Sequence, residues 1–186
     1  MTLFEYLASA FSLLFSLAAV RLVGGLPYAV LAGRRYWVHL SFVTHELLRV
    51  AAGFWAFWSF REFAWTFPTY LLALVAQGLV YFLAAALVPV DAGSVNSWRD
   101  FYFAVRRRYF LAMVCWSVMI AVTTTILVDM PWTHPFRLVQ LGFFAFGVVG
   151  ATTGNPRVHA GLALLSVAVP VVAALTVMLQ PGPLAS

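Results

Sequence analysis

Six apolar runs of about 20 residues, joined by short links that hold nearly all of the arginines, decide the fold class of this chain. In lipid every backbone amide and carbonyl has to be satisfied within the segment, so runs of this kind are expected to be helices. The rest of the sequence leaves no competing choice. Hydrophobic residues make up 63% of the 186 residues and charged residues 9%, so little polar sequence remains for a separate soluble domain. The expectation is a single all-α domain over residues 1–186, a polytopic integral membrane helical bundle.

The predicted spans cover residues 3–20, 36–60, 63–88, 110–128, 136–152 and 158–179. Between the first two lies Leu22 to Ala32, a short piece broken by Gly24, Gly25 and Pro27 that reads as an interfacial or re-entrant segment. The N-terminus becomes apolar at Leu3 and carries Glu5 where a secretory signal would carry a basic residue, so it reads as a retained first span. Pro170 interrupts the last run and is expected to kink it. With the N-terminus outside, the inner links hold Arg21, Arg34, Arg35, Arg99, Arg106, Arg107, Arg108 and Arg157, against Arg61 and Arg137 outside. That asymmetry orients the bundle, with six spans and both termini on the non-cytoplasmic side, in a membrane such as the bacterial inner membrane. The polar link before the fourth run, Val90 to Arg108, reads as a short amphipathic helix on the cytoplasmic surface.

Inside the second run stand His39, His45, Glu46 and Arg49. At 100° per residue they share an arc of roughly 120°, together with Gly53, so they form one stripe turned away from lipid. Glu46 and Arg49 are three apart and His45 and Arg49 four apart, the spacings at which helical side chains meet. Gln77 and Tyr81 on the third run, and Ser117, Thr124 and Thr125 on the fourth, are candidate partners because each donates or accepts without a full charge. Two functions fit such a centre. One is a small channel or transporter for protons, ions or a small polar solute, with His39, His45, Glu46, Arg49, Gln77 and Tyr81 as the site. The other is a non-catalytic structural or accessory subunit of a larger membrane complex, in which the same residues hold helices together.

Other motifs point less far. His39 and His159 fall at similar depth near the cytoplasmic ends of their runs and raise haem ligation as an option. His45-Glu46-Leu47-Leu48-Arg49 has arginine where a zinc-protease helix needs its second histidine, so an enzyme of that kind is not expected. The single cysteine, Cys115, excludes an internal disulfide. Arg106, Arg107 and Arg108 are contiguous at a helix entrance and read as contacts to anionic lipids at the cytoplasmic face. Basic charge distributed over links at one membrane face argues against nucleic acid. Ladders of small residues, Ala8, Ser12 and Ser16 on the first run and Gly147, Gly150, Ala151 and Gly154 on the fifth, are expected to mark close helix packing, within the chain or against a second copy or a membrane partner.

Overall fold

The computed structural model describes residues 3–31 and 33–176, and in these residues it is all-helical. Six helices follow in order: α1 Leu3–Ala29, α2 Trp37–Phe57, α3 Phe67–Leu87, α4 Trp98–Leu127, α5 Phe136–Thr152 and α6 Pro156–Thr176. Three of them, α1, α3 and α4, are long and apolar enough to cross a membrane. The predicted end of the last run at Leu179, and the C-terminus, lie outside the described residues.

Helix ends follow local chemistry. Thr66 caps α3: Thr69 Oγ1 accepts from the Thr66 amide at 3.0 Å, and Pro68 fits the first turn, where its missing N–H has no helical partner to lose. Ser97 caps α4 by accepting from the Asp100 amide at 3.3 Å. Gly33, at φ 86°, makes the turn that leads from α1 towards α2.

Two sequence expectations are corrected here. Residues Leu22 to Ala29 are no re-entrant piece but the end of α1, which runs 27 residues through Arg21, Gly24, Gly25 and Pro27. Arg21 is tolerated inside it because its Nε donates to the Val88 carbonyl at 2.9 Å, at the end of α3. Gly25 is needed at this crossing, since a Cβ there would run into the Val88 side chain. Likewise the link before the fourth run is no separate surface helix. Apart from a short turn at Ala92–Ser94, its second half is the first three turns of α4, which is one helix of 30 residues.

Packing puts α2, the helix that carries the charged stripe, in the middle. α2 touches α1, α3, α4 and α6 and buries Val38, His39, Phe42, Val43, His45, Glu46, Arg49 and Val50. α1 lays Leu7, Phe11, Phe15, Ala18 and Leu22 inward at helical spacing, so its contact face is this mainly aromatic and aliphatic row, while Ser16 of the small-residue ladder is exposed. On α5 the small residues do mark the contact. A methyl at Gly150 would overlap the Phe110 ring, and one at Gly147 would stand 2.8 Å from Val114 Cγ2 on α4. Gly150→Ala is therefore expected to cost about 1–3 kcal/mol by overpacking. Gly142→Ala, with nothing within 4 Å of its added carbon, should be neutral or stabilising by up to about 1 kcal/mol. Thermal unfolding of both variants in detergent checks this, and equal shifts would remove the close α4–α5 contact as a source of stability.

Candidate functional site: a closed polar centre on α2

Heptad spacing on α4 brings Tyr102, Tyr109 and Trp116 onto the side that meets α2. Tyr109 is fully buried, and its hydroxyl donates to Glu46 Oε1 at 2.6 Å. The other carboxylate oxygen, Oε2, lies 3.1 Å from Arg49 Nε in an ion pair. Arg49 Nη2 donates to His45 Nε2 at 2.8 Å, and His45 Nδ1 stands 2.7 Å from the Ser166 carbonyl on α6. These contacts fix the imidazole. A guanidinium can only donate, so Nε2 accepts, and the proton sits on Nδ1 and goes to Ser166 O. His45 is thus held neutral, in one tautomer.

The guanidinium carbon lies over the Trp116 ring, 4.0 Å from its centroid, with the Phe143 ring of α5 at 5.7 Å. A desolvated contact of this type contributes about 2 kcal/mol and shields the face of the cation. Phe143 and Phe146 also flank His45. The centre therefore joins α2, α4, α5 and α6. Glu46 has no exposed surface, His45 is 3% exposed and Arg49 8%.

Two further buried polar groups lie along the bundle. His39 donates from Nε2 to the Leu87 carbonyl at 2.9 Å and stacks on Trp98 at 4.6 Å. His159 accepts the Tyr102 hydroxyl at Nδ1, 2.7 Å away, and donates from Nε2 to the Thr153 carbonyl at 3.0 Å. These engagements do not suit haem. Both nitrogens of His159 are spent on protein partners, and His39 has a carbonyl on one nitrogen and an indole stacked on its ring, so the haem option finds no free imidazole pair in this arrangement.

Of the other expected site residues, the structure brings few to the centre. Gln77 and Tyr81 make no hydrogen bond to it, and Tyr81 is exposed. Ser117 donates to its own helix at Met113 O, as does Thr124 to Ile120 O. Arg106 is not a free contact for lipid, since its Nε donates to Thr153 O at 3.0 Å and its Nη1 to Phe103 O at 2.9 Å. Arg107 and Arg108 are exposed.

Arg137, expected in an outer link, is instead 8% exposed and forms a second polar knot. Its Nη1 donates to Ala121 O, Thr124 Oγ1 and Gln140 Oε1, and its Nη2 to Thr125 Oγ1 and Met130 O. The signal was present in the sequence as the pair Thr124 and Thr125 with Gln140, three residues after Arg137. Tyr109 was the other residue missed.

The chain is thus a helical bundle of membrane-protein character, built around a closed ionic and hydrogen-bonded centre. No protein family, curated protein or solved structure matches it. Its chemistry has to be read from geometry.

Removing the carboxylate would strand a buried guanidinium. Glu46→Gln should lower stability by about 3–5 kcal/mol, and Tyr109→Phe by about 1.5–3 kcal/mol, the value of a hydrogen bond to a charged group. Adding Arg49→Met to Glu46→Gln should recover part of the first loss. Unfolding midpoints of the single and double variants test the pair, and strict additivity would show that the two side chains do not interact.

Proposed function

We propose that this chain is a non-catalytic subunit of a larger membrane assembly, and that its polar centre holds helices in register. One observation carries this reading: Glu46, Arg49 and His45 are engaged with one another and with Tyr109 and Ser166, out of contact with solvent. A site that loads and releases an ion needs groups that exchange ligands in a hydrated cavity, whereas a structural lock needs satisfied, dry contacts. Two surface cavities of about 470 Å³ and 300 Å³ are lined by residues at the ends of helices, and neither includes a member of this centre.

The second reading is a small channel or transporter for protons, ions or a small polar solute. It is favoured by Arg49 Nη1, buried without a hydrogen-bond partner beside two ionisable groups. Proteoliposomes holding the purified chain alone distinguish the two. The subunit reading expects no flux above empty vesicles and stoichiometric partner chains on purification from the native membrane. A pH-dependent flux that is lost in a folded double variant, Glu46→Gln with Arg49→Met, would overturn it in favour of transport.

In the bilayer the six helices are all assigned as spans, with Arg21, Arg34, Arg35, Arg99, Arg106, Arg107, Arg108 and Arg157 on the cytoplasmic side of a bacterial inner membrane. Arg107 and Arg108, exposed on α4, are placed against anionic headgroups. Single cysteines at Ser94 and Ser186, in a Cys115→Ser background, report the orientation. An impermeant thiol reagent added to whole cells should label position 186 and spare position 94, and the reverse pattern would invert the bundle.

A further inference from the structure

Among the described residues, one buried charge has no ion-pair partner. Arg137 is 8% exposed, and the acceptors around it are all neutral oxygens, from α4, Gln140 and the link that follows α4. Its Nε is buried without an acceptor. Arg49, equally buried, has Glu46, as is usual for a cation taken out of water. A carboxylate lies near Arg137 too. Asp129 follows the end of α4 at φ 49°, the one non-glycine residue with positive φ among the described residues, and it is exposed. The next carbonyl along the chain, that of Met130, takes Arg137 Nη2 at 2.6 Å, so the two opposite charges occupy the same end of the bundle. Yet they form no ion pair with each other, and Asp129 has none with any other described residue. Beside them α5 turns Leu138, Leu141, Gly142 and Ala145 outward at the spacing of one helical face, and a carbon added at Gly142 meets nothing within 4 Å.

We infer that a second copy of this chain supplies the missing partner: Asp129 of each copy pairs with Arg137 of the other, across a two-fold axis beside α5. A two-fold contact is self-complementary, so a surface that carries one unpaired cation and one unpaired carboxylate side by side satisfies both charges in both copies. A lipid phosphate would answer Arg137 and leave Asp129 unanswered. Copies inserted in one membrane share one orientation, which brings Asp129 of one and Arg137 of the other to the same depth. The outward face of α5 then packs on its copy, and Gly142 and Ala145 let the two backbones approach. Trp132 lies over the guanidinium, 4.5 Å from its carbon to the ring centroid, while being 74% exposed itself. In the dimer this ring turns aside and the Asp129 carboxylate takes its place beside Nε. The inference rests on the membrane-spanning reading above, but not on the choice between subunit and transporter.

The test uses the full-length chain with Ser186→Cys in the Cys115→Ser background, labelled with donor or acceptor dye and reconstituted in phosphatidylcholine vesicles over a range of protein-to-lipid ratios. Energy transfer between copies should follow a monomer–dimer isotherm. Asp129→Asn should weaken association about a hundredfold, or about tenfold for each of the two symmetric pairs, and Asp129→Arg should abolish it. Gly142→Trp, in open space on the single chain, should abolish it as well and leave the unfolding midpoint unchanged. Neither position holds a residue that bonds to Arg137. Asp91→Asn, on the link between α3 and α4, should leave association unaltered. No transfer at any ratio, or transfer that survives Asp129→Arg or Gly142→Trp, would overturn the dimer. So would an Asp129→Asn variant that loses stability while its association is unchanged, because the pair would then lie within one chain. A wild type that stays monomeric and retains one phosphatidylglycerol in native mass spectrometry would assign Arg137 to a lipid phosphate instead. A chain that fails to enter vesicles would overturn the membrane reading, and the dimer with it.

Discussion

Glu46 places a carboxylate where no water reaches it, and the packing around α2 follows from that constraint. An isolated ionised carboxylate in such a place would cost many kcal/mol, so it must be approached by donors from elsewhere in the bundle. Arg49 supplies a counter-charge from the next turn of the same helix, and Tyr109 supplies a donor from α4. The first of these is local and could form in an isolated helix. The second cannot, because it requires α4 to lie at one rotation and one height against α2. A hydrogen bond to a buried charge thereby links α2 to α4 at one place along both helices.

Arg49 extends the same constraint to the other side of α2. Its charge is balanced by Glu46, its plane is covered by Trp116 and one of its N–H groups is given to His45. Stacking suits arginine in a way that lysine could not reproduce, since the planar guanidinium offers a face as well as donors. The knot around Arg137 works by a different balance. There, neutral oxygens from Thr124, Thr125, Gln140 and two backbone carbonyls take the protons and join α4 to α5. α4 is thus tied at mid-height to α2, and near its end to α5.

Much of the helix pattern was legible because apolar run length and burial report the same physics. The stripe on α2 was legible too, since spacing on one helix fixes which residues share a face. What the sequence hid were contacts between helices. Tyr109 follows Arg107 and Arg108 and so resembles an interfacial aromatic at a helix entrance. α4 in fact begins at Trp98, which puts Tyr109 roughly 16 Å along the helix and opposite Glu46. Gln77 and Tyr81 looked like partners because they are polar in an apolar run, but the side of α3 that packs inward carries Ala73, Ala76, Val80, Leu83 and Ala84. Arg21 was read as a helix stop for the same reason: charge marks a boundary only when no partner is within reach, and the Val88 carbonyl lies within reach.

Pro170 shows how a local defect becomes a tertiary contact. The sequence reads it as a kink, and α6 continues as helix through it from Pro156 to Thr176. Proline has no amide hydrogen, so the carbonyl four residues back, that of Ser166, loses its helical donor. Left bare in an apolar bundle, that carbonyl would cost about 1–3 kcal/mol. His45 Nδ1 fills the vacancy at 2.7 Å. The exchange ties α6 to α2 and at the same time commits the His45 proton to Nδ1, which leaves Nε2 as the acceptor that Arg49 needs. An imidazolium at this position would present a donor to a donor beside a cation, so proton uptake by His45 would require Arg49 to move off it and with it the ion pair to Glu46. The proline in α6 and the carboxylate in α2, far apart in sequence, are thereby linked through His45 and Arg49 into one arrangement of donors and acceptors.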